Sequence, residues 1–164
     1  MKTNFNHLLP FFLAALISTS ALGQTPNQKS PVTFINSPEL NTPPGYTHAV
    51  VVNSGKLVFI AGQVGLDKQG KMVGKDDFRA QAAQAFANLR AALAAAGAKP
   101  ENLVKLNYYV VGLNHEKLLT LRELRGSFVN KENPPASTLI GVAALFSEEA
   151  SIEIEAVAVV PHLN

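Results

Sequence analysis

Apolar residues between positions 78 and 96 recur at steps of three and four, and this spacing predicts an amphipathic helix. The apolar stripe begins at Phe78 and ends at Ala96, and its step size is the repeat of one helix face. Asp76 and Asp77 precede the stripe, where acidic side chains favour the positive end of a helix dipole. Gly97 follows it, in the place where a left-handed residue commonly caps a helix.

A second helix is expected over residues 116–129, where the apolar residues that share one face are Leu118, Leu121, Leu124 and Phe128. Asn114 stands just before this stretch and offers an N-cap, because its side-chain oxygen can accept a hydrogen bond from a free backbone N–H. Two prolines at positions 134 and 135 end any helix. The second helix is therefore expected to lie between Asn114 and these prolines.

Several shorter runs have the composition of β-strands. Residues 103–111 alternate between an apolar face and a face with Lys105, Asn107 and Tyr109. Two further strands are expected over residues 137–143 and 152–160. Near the start of the folded region, residues 48–53 and 56–60 are rich in valine and other β-forming residues, and Ser54 and Gly55 lie between them. That spacing predicts a tight hairpin.

The order of elements is therefore strand, strand, helix, strand, helix, strand, strand. A single sheet with both helices on one face satisfies this α/β (α+β) order, because two amphipathic helices can each cover half of the face. The other face of the sheet has no cover from these elements. Tyr109, Val157 and Val159 are expected there, and they are too apolar for full exposure, so association of subunits is expected to bury them.

The N-terminus has the pattern of a secretory signal. Lys2 precedes an apolar run over residues 8–17, which is too short to span a bilayer, and small residues follow it up to Gly23. We expect residues 1–23 to be a cleaved signal peptide that exports the protein to the periplasm or the extracellular space. Residues 24–45 contain five prolines and are interpreted as a flexible arm, and residues 46–161 as the folded domain. After cleavage no membrane association is expected.

Composition narrows the range of functions. The formal net charge is only +2 and no two basic residues are adjacent, so no nucleic-acid partner is expected. The chain has no cysteine, and an ordinary apolar core must hold the domain. The four histidines do not have the spacing of a metal site, and the glycines match no nucleotide-binding loop. We therefore expect neither a metal nor a cofactor.

Two groups of polar residues are candidates for chemistry. Glu153 and Glu155 lie on the same face of the last predicted strand. Alternation alone makes them the solvated face of an antiparallel strand, and a functional role is the competing interpretation. Ser137 and Thr138 follow the two prolines and present two hydroxyls where a strand begins.

Several of these runs, taken in order, resemble the RidA/YjgF family of reactive-intermediate deaminases. The resemblance extends from Tyr46 to Val160, about 115 residues. Its motifs are Ala61-Gly62-Gln63-Val64, the alanine-rich helix that ends in Ala96-Gly97, the 110–114 segment, Pro135-Ala136, and the 152–159 strand. It implies a chorismate-mutase-like fold, a homotrimer, and clefts for a small-molecule ligand between adjacent subunits.

The resemblance also implies an activity and site residues. Active members of the family hydrolyse 2-imino acids to 2-keto acids and ammonia. Matched position by position, Tyr46 is the tyrosine of the cleft, Gly62 the backbone contact to the ligand, and Glu153 the acidic residue associated with water. Glu153 is therefore the candidate catalytic residue.

Other positions depart from the family pattern. Ser137 occupies the position of the carboxylate-binding arginine, Ala61 that of a serine, Thr120 that of a helix asparagine, and Leu139 that of a cysteine. Together with Tyr46, Gly62 and Thr138, the positions Thr120, Ser137 and Leu139 are the candidate substrate-binding residues. Arg122 and Arg125 follow Thr120 and are the residues that could supply the missing cation.

Three functions from different classes are compatible with these residues. The departures favour an exported trimer that binds a small molecule in clefts between subunits, either without catalysis or with hydrolysis of an imine or enamine other than the usual 2-imino acids. The alternative is a 2-iminobutanoate/2-iminopropanoate deaminase, which Glu153 supports. Nucleic-acid cleavage, sometimes attributed to relatives, is the third, and the near-neutral charge argues against it.

Overall fold

The computed structural model describes Met1 and residues 30–161 of the 164-residue chain. The proposed signal peptide, residues 1–23, lies outside this part apart from Met1. The elements, in chain order, are β1 (Val32–Ile35), β2 (Ala49–Val52), β3 (Lys56–Gln63), α1 (Phe78–Ala95), a 3₁₀ turn (Pro100–Asn102), β4 (Leu103–Val111), α2 (His115–Gly126), β5 (Ala136–Val142) and β6 (Ile152–Val160). This is the expected mixed α and β class, with two helices packed on a sheet.

The main sheet has four strands in the order β3-β6-β4-β5. Strand β6 runs antiparallel to both β3 and β4, whereas β4 and β5 are parallel. Both central strands bury every second side chain beneath the helices, and Leu89 and Leu93 of α1 and Leu121 of α2 complete the same core. The helices therefore cover one face of this sheet.

Helix α2 begins at the predicted N-cap, Asn114, and α1 begins at Asp77, one of the two acidic residues expected at the positive end of its dipole. The side chain of Asp77 accepts a hydrogen bond from the N–H of Ala80, and that of Asn114 accepts from the N–H of Lys117. Gly97 has a φ of 71° after the last turn of α1, as a left-handed cap requires. The second helix ends at Gly126, three residues before the predicted end.

The predicted hairpin is wrong. Strand β2 pairs with β1 in a separate two-stranded sheet, and β3 pairs with β6. The outer edge of β3 therefore has no neighbour in the described part of the chain, and Phe59 on this strand is 75% exposed. The turn residues Ser54 and Gly55 connect two different sheets instead of two strands of one sheet.

Part of the proposed flexible arm is also ordered. Residues 32–35 lie between the prolines at 31 and 38 and form β1. This segment contains no proline, so all of its backbone N–H groups are available for strand pairing. The interpretation of residues 24–45 as irregular throughout therefore fails at β1.

The face of the main sheet opposite the helices is largely open. Tyr109, Glu153, Glu155 and Val157 lie on it, partly exposed. Val159 differs, since it is 1% exposed within the single chain, where the backbone of Gly55 packs against it. The open face thus combines carboxylates and apolar side chains.

Candidate functional site

A pocket of about 290 Å³ lies between α2 and the strands β4 and β5. It brings together three residues that the sequence assigns to ligand binding, Tyr46, Ser137 and Leu139. The remaining residues of its lining are Pro44, Tyr108, Leu118, Leu121, Arg122 and Arg125. The pocket combines an apolar wall of leucines with two cations, which suits a small organic anion.

Tyr46 reaches the pocket because the following residue is fixed to the start of β5. The hydroxyl of Thr47 donates a hydrogen bond of 2.6 Å to the carbonyl of Pro134, and its N–H donates to the carbonyl of Pro135 at 3.3 Å. Thr47 is 2% exposed, so these bonds are shielded from water. The two prolines that precede β5 therefore help to position the tyrosine.

Arg125 is held in place at the rim of the pocket. Its Nη2 donates a hydrogen bond of 3.2 Å to the carbonyl of Pro44. Gly45 has a φ of 87°, which favours glycine, and a Cβ at this position would meet the guanidinium. The glycine therefore allows both the turn of the backbone and the approach of Arg125.

Arg122 lies one helical turn before Arg125, so the two side chains share a face of α2. Within residues 30–161 the guanidinium of Arg122 has no hydrogen bond or ion pair. It is available to a ligand that enters the pocket. The sequence raised both arginines as substitutes for the cation absent at Ser137, and the structure places both in the pocket that Ser137 lines.

A second group of candidate residues lies on the open face of the sheet. Glu153 faces Gly62, and a Cβ at position 62 would collide with the Glu153 carboxylate. This contact requires glycine, and it follows from a register irregularity between Ile60 and Gln63 in the pairing of β3 with β6. Thr138 lies on this face as well, where its hydroxyl oxygen accepts a hydrogen bond of 2.7 Å from Nζ of Lys105.

Glu155 has a structural network of its own beside Glu153. Its Oε1 accepts hydrogen bonds from the amide of Asn107 at 2.6 Å and from the hydroxyl of Tyr109 at 2.8 Å. The bond to Glu155 raises the pKa of the Tyr109 hydroxyl, and partial burial adds to this. The two glutamates that looked equivalent in the sequence thus differ, because Glu155 is engaged within the chain.

The candidate residues therefore form two groups on opposite faces of one sheet. Ser137 pairs in register with the core residue Leu106, whereas Glu153 pairs with Tyr109 on the open face. A ligand in the pocket of one chain cannot touch Glu153 of the same chain, because the sheet lies between them. A site that uses both groups requires two subunits.

Thr120 belongs to neither group. It lines a shallow surface cleft between the N-terminal ends of α1 and α2, together with Asp77, Lys117 and Glu123. Glu123 forms a salt bridge of 2.6 Å there with Arg79, which lowers the pKa of this carboxyl. The sequence also did not single out Tyr108 of the pocket, since a tyrosine on the apolar face of a strand looks like an ordinary core residue.

The described residues include no group of three histidine, aspartate or glutamate side chains that could hold a metal ion. In residues 30–161 neither helix has the length and apolar composition needed to cross a membrane.

The fold and the pocket define a small α+β domain with two helices on one sheet face and a cleft lined by two arginines beside the edge strand β5. Residues 37–160 match the family model described as Endoribonuclease L-PSP. The chain belongs to this family, which is the RidA/YjgF family that the sequence motifs indicate.

Relatives of known name cover most of the chain. A 2-iminobutanoate/2-iminopropanoate deaminase from Dermatophagoides farinae is 33% identical over 132 residues, which are 80% of this chain and 98% of the relative. A RutC family protein from Aquifex aeolicus is 38% identical over 76% of this chain and 97% of the relative. The crystal structure of the Rid family protein YyfB from Yersinia pestis, of unknown function, has a TM-score of 0.74 and 40% identity over 80% of this chain and all of that one.

Proposed function

We propose that the protein hydrolyses small 2-imino acids to 2-keto acids and ammonia, with Arg122 and Arg125 in place of the cation that Ser137 cannot supply. The observation that carries this proposal is the presence of both arginines in the pocket lined by Tyr46 and Ser137. In the sequence, the departures at Ser137 and Leu139 favour a ligand-binding trimer without catalysis. The two arginines in the pocket instead favour the deaminase. The deaminase relative from Dermatophagoides farinae supports it further.

The arginines act on the substrate carboxylate. Hydrogen bonds to a charged group contribute about 1.5 to 3 kcal/mol, which corresponds to about a ten- to hundredfold change in affinity. Arg125 is fixed to Pro44, so Arg122 supplies most of the adjustable contact. The leucines at positions 118, 121 and 139 then pack against a short aliphatic side chain.

Glu153 from a neighbouring subunit acts on the water. As water adds to the imine carbon, Glu153 accepts a proton from it and returns that proton to the nitrogen, which gives a carbinolamine. Glu153 then transfers the proton of the new hydroxyl to the amine nitrogen, and the carbon–nitrogen bond breaks as the carbonyl forms, which releases ammonia and the 2-keto acid. This step needs a trimer in which the open face of one subunit closes the pocket of the next. The two groups of site residues on opposite sheet faces support that assembly.

The test is ammonia release from 2-iminobutanoate and 2-iminopropanoate generated by an amino-acid oxidase, measured above the uncatalysed rate. Arg122→Gln is expected to raise KM about ten- to hundredfold, because it removes binding common to substrate and transition state. Glu153→Gln is expected to lower kcat. Arg90→Gln removes the same charge from α1, where Arg90 lies 4.8 Å above the ring of Phe128, and serves as the matched control.

Absence of turnover in the wild type would overturn the proposal. If Ser137→Arg then gained turnover, the protein would be a ligand-binding trimer that lacks the needed cation. RNA cleavage, the activity in the description of the family model, would be supported instead if a single-stranded RNA were cut and Glu153→Gln abolished the cutting.

Export is part of the proposal. The apolar run over residues 8–17 and the small residues up to Gly23 support cleavage before Gln24. Mass spectrometry of protein recovered from the cell envelope or the medium is expected to find Gln24 at the N-terminus. Recovery of chains that still begin at Met1 would contradict this step.

A further inference from the structure

Tyr108 carries a hydroxyl that the fold encloses and leaves without a partner. The residue lies in the middle of β4, is 3% exposed, and packs its ring 6.2 Å from that of Phe86. Among the described residues it is the one side chain with a buried polar atom that makes no hydrogen bond. The same side chain forms part of the pocket wall beside Ser137 and Arg125.

An enclosed hydroxyl without a partner disfavours the folded state, since water bonded to it in the unfolded chain is lost. A phenylalanine would fill the same space without that loss. Thr47 and Gln81, the buried polar residues elsewhere in the core, are hydrogen-bonded. Tyr108 is therefore an exception, and its position at the pocket indicates that its partner arrives with a ligand.

The hydroxyl is suited to donate rather than to accept. Burial raises the pKa of Tyr108 well above its ordinary value, and the nearby charge of Arg125 opposes this only in part. The hydroxyl therefore keeps its proton throughout the neutral range. Tyr108 and Arg125 line the same pocket, so an anion bound by the arginine lies beside the Tyr108 side chain.

We propose that Tyr108 is a specificity-determining residue whose hydroxyl donates a hydrogen bond to the carboxylate that Arg122 and Arg125 bind. The pocket then recognises a small monocarboxylate by two arginines and a neutral donor, with the leucines around its aliphatic part. The chemical nature of the substrate rests on the proposed function, whereas binding of the carboxylate does not require turnover.

The experiment compares wild type with Tyr108→Phe in two measurements. Calorimetric titration with 2-oxobutanoate, a stable carboxylate, is expected to give a Kd at least tenfold higher for the variant, which corresponds to about 1.4 kcal/mol. Butanamide, which has the same carbon chain and no charge, is expected to bind weakly and equally to both proteins. Thermal unfolding without ligand is expected to show the variant as stable as the wild type or more stable.

Tyr109→Phe is the matched control for stability. This substitution also removes a tyrosine hydroxyl, but the hydroxyl of Tyr109 donates a hydrogen bond to Glu155. Its loss is therefore expected to lower the Tm. In the wild type, 2-oxobutanoate is also expected to shift the NMR signal of the Tyr108 ring carbon that bears the hydroxyl, which tests the contact without any substitution.

Three results would overturn the proposal: an unchanged Kd in Tyr108→Phe, a marked loss of its stability without ligand, or no binding of 2-oxobutanoate to the wild type. Binding that depends on Tyr108 without ammonia release would leave this inference intact and refute the proposed deaminase. Ammonia release with kcat and KM unchanged in Tyr108→Phe would refute this inference and leave the proposed deaminase intact.

Discussion

Replacement of Gly62 by alanine should disable the carboxylate of Glu153 while leaving the protein folded. The new Cβ would overlap Oε1 of Glu153 and lie 2.6 Å from its Cδ and 2.8 Å from its Cγ. Carbon atoms in contact prefer about 3.5 to 4.0 Å, so the carboxylate must withdraw by about 1 Å. Gly62 does not have a positive φ, and alanine is therefore not strained by the backbone.

The energetic cost of the substitution is small, but its effect on catalysis is expected to be large. The Glu153 side chain is partly exposed within the single chain and can rotate away from Gly62, at a cost of about 0.5 to 1.5 kcal/mol if it leaves its rotamer. A displacement of about 1 Å at a reacting group can lower the rate about a hundredfold. We expect kcat for ammonia release to fall by that order, with a modest decrease in Tm.

Gly126→Ala is the control, because a Cβ at the end of α2 would meet no atom within 4 Å. It is expected to keep both kcat and Tm. Full activity of Gly62→Ala would refute the reasoning, since it would mean that Glu153 does not act from the position seen beside Gly62. Global unfolding of the variant would refute the claim that the Glu153 side chain can move aside.

Three further results are expected. Gln81→Leu should lower the free energy of unfolding, measured by urea denaturation, by about 3 kcal/mol, because it leaves buried polar groups unpaired. Among these groups are the N–H and the hydroxyl of Ser151, each of which donates a hydrogen bond of 2.8 Å to the Gln81 side chain. Folding raises the pKa values of Tyr108 and Tyr109, because burial of Tyr108 and the hydrogen bond from Tyr109 to Glu155 disfavour the phenolate forms. The free energy of unfolding should therefore not change with the titration of these groups below a pH of about 10 and should fall as the pH rises from there towards the folded pKa values. Phenolate absorbance of the folded protein should develop at higher pH than that of the unfolded protein, and equal titration curves would contradict this. Light scattering should give about three times the subunit mass, and a stable monomer at micromolar concentration would exclude the shared site.

The helices and strands of the core were predictable because the spacing of their apolar residues matches the side chains that the fold buries. The limits of β4 and β6 match the predicted runs residue for residue, and the N-cap at Asn114 is the one expected. Local signals were misleading where pairing depends on distant residues. Ser54 and Gly55 fit a hairpin turn, but the choice of β1 as partner for β2 is a tertiary effect that turn chemistry does not contain.

The structure brings some of the candidate site residues together and separates others. Tyr46, Ser137 and Leu139 lie together in the pocket, whereas Thr120 faces a different cleft. The direction in which Arg122 and Arg125 point depends on how α2 is rotated about its own axis. The sequence does not determine this rotation, because several charged residues lie on the exposed face of the helix. Tyr108 could not be recognised at all, because only the structure shows that its hydroxyl has no partner.

The separate pairing of β1 with β2 also bears on the local stability of one wall of the pocket. A two-stranded sheet alone is marginally stable in water, so its amide hydrogens should exchange by local opening, long before those of β4 and β6, which exchange with global unfolding. Tyr46 lies in the connection between β1 and β2. Opening of this small sheet would leave that wall of the pocket held through the hydrogen bonds of Thr47 and Arg125, so the wall is expected to loosen while the core stays folded.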